Sequence, residues 1–88
     1  MPDVDVLPVD ASQLAAIAER YSLTRREAEV LGLVFRGFTA QQIADELVVT
    51  KSTVKFHVTN ILKKTGAETR QQLVEKLSEE ERHVAQTR

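Results

Sequence analysis

The sequence predicts an all-α domain, and three observations carry that expectation. Four threonines, Thr24, Thr39, Thr50 and Thr69, stand where helix N-caps belong, and three of them are followed three residues later by Glu27, Gln42 or Gln72. That is the spacing of a capping box, in which two free backbone N–H groups are satisfied reciprocally. Between these starts, apolar residues recur every three or four positions, the period of a helix face, and strand-like alternation is missing. Gly37 and Gly66 close two of the apolar stretches, where a left-handed residue ends a helix at least cost. With 88 residues, 42% hydrophobic and 28% charged, the chain is long and apolar enough for one domain with a modest core.

The elements follow in order. Residues 1–10 hold both prolines and three acids and read as an extended lead-in or linker. Residues 11–21 read as a short additional helix that starts at Asp10 or Ser12 and aligns Leu14, Ile17, Ala18 and Tyr21. Thr24 opens the next helix, with Leu23 and Ala28 as a hydrophobic staple and Val30, Leu31 and Val34 as the buried stripe. Arg25, Arg26, Glu27 and Glu29 serve solubility and capping there, and Phe38 folds back on Leu33 past the Gly37 stop. Thr39 begins a helix of about two turns, too short to stand alone, whose apolar face is Ile43, Ala44 and Leu47. Thr50 caps a longer helix to about Thr65. Two helices separated by a three-residue turn form a helix-turn-helix. Thr69 opens the last helix, with Leu73, Val74 and Leu77 apolar ahead of the SEEER run, and residues 81–88 read as a frayed tail. The expected architecture is a four-helix helix-turn-helix bundle over residues 22–80, with the short N-terminal helix added in front.

Composition narrows the function classes. There is no cysteine, which removes disulfides, thiolate metal sites and a cysteine nucleophile. Catalytic signatures are missing as well: no H-E-x-x-H, no phosphate-cradling glycine loop, and only three glycines in all. No enzyme activity, cofactor, metal or small-molecule ligand is expected. His57 has only His83 as a second histidine and no carboxylate at ligand spacing, so it reads as a packed or phosphate-touching residue. A signal peptide or an 18-residue apolar run is not found, and a cytoplasmic location is expected.

The net charge of −1 does not favour a nucleic-acid partner, but its distribution does. Acids crowd the two ends, while the stretch from Val48 to Gly66 holds four lysines and no acid. On a wheel at about 100° per residue, Val54, Val58, Ile61 and Thr65 take one side of the helix over 51–65, with Leu62 at its edge. Ser52, Lys55, Phe56, Thr59, Asn60 and Lys63 take the other. A phenylalanine opposite the core suits apolar contact with a thymine methyl, and the plainer alternative is that it covers another helix. Its neighbours are residue types that contact phosphates and base edges, which favours a DNA-reading face. Lys63 shares that face. Lys64 reads as solvated.

The segment LTRREAEVLGLVFRGFTAQQIADELVVTKSTVKFHVTNILKKTGAETRQQLV resembles the LuxR/NarL (GerE-type) C-terminal DNA-binding domain of bacterial transcription regulators. The matching residues are Leu23-Thr24 with Arg26-Glu27, Gly37, Ile43-Ala44 with Leu47, Thr53-Val54-Lys55, Ile61-Leu62, and Gly66 with Arg70. The resemblance implies a four-helix bundle whose third helix, here about 51–65, enters the major groove of double-stranded DNA, and whose fourth pairs two copies on a two-fold site. It puts Lys55, Phe56 and Thr59 toward bases, and Thr24, Ser52, Thr53, Lys63 and Arg70 near phosphates. The homodimer face falls on Gln71, Val74 and Glu75. RNA polymerase is an implied partner, and a sensor or receiver domain is expected ahead of the module in the intact regulator.

Two departures stand out. The family commonly has glycine near Val48, and a β-branched residue resists positive φ, so a wider or differently bent turn is expected here. Thr65 replaces a larger aliphatic side chain, which implies a lighter contact with the last helix. Two alternative readings remain open: a helical protein-interaction module of the same fold without DNA binding, and a sigma-factor region-four-like DNA binder. The lysine-rich face of the 51–65 helix argues against the first, and the segment from Gly66 to Arg70 against the second.

Overall fold

The computed structural model describes the backbone of residues 10–86 and the side chains of residues 10–81. Its helices are α1 (Ala11–Arg20), α2 (Arg25–Phe35), α3 (Ala40–Leu47), α4 (Lys51–Thr65) and α5 (Arg70–Gln86), and no strand occurs among the described residues. The expected all-helical bundle is therefore present. Of the lead-in, only Asp10 lies within the described residues, and α5 stays helical through Gln86, past the point where a frayed tail is expected.

Local chemistry sets the helix starts. Thr24 and Thr39 accept the backbone N–H of Glu27 and Gln42, whose side chains accept the N–H of the capping threonines in return. Asp10 does the same with Gln13 and so fixes the start of α1. At α5 the box is altered: Thr69 accepts from the Gln72 N–H, but the Gln72 side chain reaches one residue further back, to the Glu68 N–H.

Three helix ends share one geometry. Gly37 is left-handed at φ 85°, and the Phe38 N–H donates to the Leu33 carbonyl at 3.1 Å, so the fold-back expected there occurs. Ser22 at φ 56° closes α1 in the same way, through the Leu23 N–H and the Ala18 carbonyl. At the third such end the expectation of a widened turn is corrected. Val48 itself takes the left-handed conformation, φ 59° and ψ 51°, and the Val49 N–H donates to the Ala44 carbonyl at 3.0 Å. A satisfied buried-end carbonyl and the packing of α3 on α4 outweigh the steric resistance of a β-branched side chain, which points into solvent at 89% exposure.

The core gathers Ile17 from α1, Val30, Leu31, Val34 and Phe35 from α2, and Ile43 and Ala44 from α3. Val54 and Ile61 of α4 and Leu73 and Leu77 of α5 complete it. Helix α4 is the centrepiece, packed against α2, α3 and α5. Thr65 is buried and donates its hydroxyl to the Ile61 carbonyl at 2.9 Å, so the smaller residue leaves no unsatisfied group. Helix α1 lies on α2 where Gly32 permits close approach: a Cβ there would stand 3.0 Å from the Leu14 Cδ2. Arg20 then reaches α5, donating to Glu80 at 2.9 Å and Glu81 at 2.6 Å, and the Tyr21 hydroxyl donates to Glu80 at 2.8 Å. Burial, and then this hydrogen bond to Glu80, raise the Tyr21 phenol above its ordinary value.

Candidate nucleic-acid interface

With Val54, Ile61 and Thr65 buried, the period of an α-helix turns the opposite side of α4 outward. Ser52, Lys55, Phe56, Thr59 and Lys63 are exposed there, Asn60 is half-buried, and Lys51 is exposed at the first turn of the helix. Phe56 is 63% exposed, so it does not cover another helix. Its ring meets that of His57 edge-on, at 5.8 Å between centroids. Four lysines on α4 face no carboxylate of their own helix, and the N-terminal turn adds the positive end of the helix dipole.

Tertiary packing adds what the wheel cannot supply. Arg70, the first residue of α5, lines one shallow depression together with Lys55, Val58 and Thr59 of α4 and Ala40 of α3. Two cations and a hydroxyl from α4 and α5 thus share one concave surface, an arrangement suited to a phosphate oxygen.

The other singled-out residues divide. Thr24 and Thr53 are both engaged in caps: Thr24 holds the Glu27 N–H, and the Thr53 and Thr50 hydroxyls lie 2.9 Å apart at the start of α4. On α5, Gln71 and Glu75 are exposed and lie 3.3 Å apart in an i,i+4 hydrogen bond, while Val74 is half-buried. His57 is half-buried, and its Nδ1 is enclosed without a hydrogen-bond partner.

Lys64 is not merely solvated. Its ammonium donates to Glu27 Oε1 at 2.7 Å and to the Ser22 carbonyl at 3.1 Å. Glu27 is only 4% exposed, so the residue read as a capping group is also the buried half of a charge pair whose lysine stays partly solvated. Burial pushes its carboxyl up, but the hydrogen bonds from Lys64 and the Thr24 N–H, with the charges of Lys64 and His57, bring it below its ordinary value. The partners are 37 residues apart, and no local spacing signals them. The pair pins the start of α2 to the last turn of α4 and thereby fixes how the outward face of α4 is presented.

No metal-holding group of His, Asp or Glu residues occurs among the described residues, nor is any helix among them long and apolar enough to cross a membrane.

Comparison with known proteins agrees with this arrangement. The family model described as bacterial regulatory proteins, luxR family, matches residues 21–77, which takes in α2 to α4 and the first half of α5. An HTH-type transcriptional regulator MalT from Serratia proteamaculans (strain 568) is 40% identical over 63 residues. That alignment covers 72% of this chain and 7% of the relative. No solved structure matches. Helix α1 falls outside the matched stretch, whereas the caps, the α3–α4 turn and the outward face of α4 all fall within it. On that match and this fold, the chain belongs to the luxR family of bacterial regulatory proteins.

Proposed function

We propose that the chain is a module that binds double-stranded DNA in sequence-specific fashion as the output segment of a bacterial transcription regulator. The observation that carries this reading is the outward face of α4: Lys55, Phe56, Thr59 and Lys63 are exposed opposite the buried Val54, Ile61 and Thr65, and Arg70 stands beside Lys55 and Thr59. Helix α4 lies in the major groove, which is wide enough for one helix. Lys55 and Thr59 meet base edges, and Phe56 meets a thymine methyl. Ser52, Lys63 and Arg70 hold phosphates, with Thr24 and Thr53 contributing at the helix starts, which Thr24 and Thr50 cap.

One copy presents few contacts, so useful specificity requires two copies on a two-fold site about one helical turn apart. They pair through the face of α5 that holds Gln71, Val74 and Glu75. The name of the Serratia relative supports a role in transcription, and the small share of that protein that is matched supports work beside further domains, of which a sensor or receiver domain is one. RNA polymerase is the partner such an output segment would act on. The setting is the cytoplasm.

The test is selection from a pool of random duplexes at low and at physiological salt, with Lys55→Glu in parallel. Enrichment of a two-fold motif by the chain and its loss in the variant is the expected result. A folded chain that retains no duplex even at low salt would overturn the reading in favour of a protein-interaction module.

A further inference from the structure

The inner stripe of α5 changes character along its length. Leu73 and Leu77 are fully buried, and one turn further on the third place of the stripe is held by Glu81, which is buried too. A carboxylate at such a position is costly unless a cation answers it. The answer comes from α1: Arg20 donates to Glu81 at 2.6 Å through one guanidinium nitrogen and to Glu80 at 2.9 Å through another. The Tyr21 hydroxyl lies 2.8 Å from both Glu80 oxygens, and the Lys76 ammonium 3.4 Å from one of them. Arg20, Glu80 and Glu81 all lie outside the residues that the family model matches.

An apolar side chain at position 81 would hold α5 against the core whatever α1 did, whereas a buried carboxylate holds only while Arg20 answers it. Helix α1 is itself seated on α2, by the fully buried Ile17 and by Leu14 over Gly32, and carries Arg20 to α5 from there. Helix α5 has 17 residues and is about 25 Å long. Leu73 and Leu77 pin its first half, and the bonds to Arg20 and Tyr21 tether it further on. A helix held at two places has a fixed direction, while one held at Leu73 and Leu77 alone pivots about them. Gln71, Val74 and Glu75 turn with it.

We propose that Arg20 is a positioning residue for self-pairing: by answering Glu81 it fixes the direction of α5, and so presents the face of Gln71, Val74 and Glu75 to a second copy ready to pair. This inference rests on the self-pairing reading above. A face fixed in advance pairs more tightly than one that must be ordered on contact.

The test compares the natural chain with Arg20→Ala, Arg20→Lys, and Arg20→Ala combined with Glu81→Leu. Each is titrated with the two-fold duplex that selection enriches and with the same duplex after one half is scrambled. All four should bind the single half alike, because none of the changes touches the outward face of α4. On the two-fold duplex Arg20→Ala should bind about tenfold more weakly, the worth of one charge-assisted bond. Arg20→Lys should recover part of the loss, and Glu81→Leu should repair it by continuing the stripe of Leu73 and Leu77. Equal loss on both duplexes, no loss on the two-fold one, or a loss that Glu81→Leu does not repair would each overturn the proposal. Amide shifts of the labelled chains without DNA read the placement of α5 directly. Those of residues 71–77 should move in Arg20→Ala and return with Glu81→Leu, while those of residues 51–58 stay, and unmoved shifts at 71–77 would overturn the proposal as well. A natural chain that gains nothing from the second half-site would count against the self-pairing reading, and the amide shifts would still decide whether Arg20 places α5.

Discussion

The Lys64 ammonium lies 2.7 Å from the Glu27 Oε1, and that same oxygen accepts the Thr24 N–H at 3.0 Å. One carboxylate therefore closes the cap of α2 and ties α2 to α4. Lys64→Ala leaves the charge of Glu27 in a site that is 4% exposed, whereas Glu27→Gln keeps a polar acceptor for the cap. Lys64→Ala is expected to cost roughly 2 kcal/mol in urea unfolding, below the cost of breaking a fully buried pair because Lys64 itself remains partly solvated. Glu27→Gln should cost less. A loss under 0.5 kcal/mol for Lys64→Ala would show that the pair is not structural.

Acid titration follows from the same carboxylate. Its pKa in the folded chain is depressed below the ordinary 4.5, so folding is favoured by its ionisation. That contribution is fully present above about pH 4.5 and is lost as pH falls through the lower folded value. Stability measured from pH 7 downward should therefore fall more steeply in the natural chain than in Glu27→Gln, and the gap between the two should narrow below pH 4.5. A gap that is constant with pH would contradict this.

Val48 holds a left-handed backbone with 89% of its surface exposed, so it bears the strain without a packing return. Val48→Gly is expected to stabilise the chain by about 0.5–1 kcal/mol, the left-handed penalty less the added flexibility of glycine in the unfolded state. Urea denaturation decides it, and a destabilised variant would mean that Val48 makes a contact the fold depends on.

Arg20 is the cation that faces Glu81, whose side chain is 7% exposed. Arg20→Ala should cost about 2 kcal/mol, because it strands a buried carboxylate. Arg26→Ala, which removes only an exposed i,i+3 pair with Glu29, should stay within about 0.5 kcal/mol. Equal effects in a thermal or urea series would show that α1 is not clasped to α5 as described.

Phe56→Ala and Lys63→Ala separate stability from the proposed recognition. Both side chains are exposed, so unfolding free energies should shift by no more than about 0.5 kcal/mol. On duplex DNA, Lys63→Ala should weaken all sequences alike and lower the salt slope by about one, while Phe56→Ala should blunt discrimination at one base step. Unchanged binding in both would remove the outward face of α4 from the proposal.

By itself, the sequence determined the helices, their starts and the glycine-closed ends, because these depend on neighbours three to five residues apart. Thr24, Thr39 and Thr69 cap by side-chain bonds that span three positions, Gly37 turns the chain at α2, and the 3.6-residue period alone sends Val54 and Ile61 inward and Lys55, Phe56 and Thr59 outward. Residues far apart in the chain carry no such local signal, and their relations were decided by tertiary packing. Only the docking of α4 on α2 pairs the buried Glu27 with Lys64, and only the approach of α1 to α5 brings Arg20 to Glu81, 61 residues on. Packing also sets Arg70 beside Lys55, and it holds Val48 in a backbone conformation that its side chain disfavours, because a hydrogen bond from its neighbour and the contact of two helices outweigh the strain of one residue.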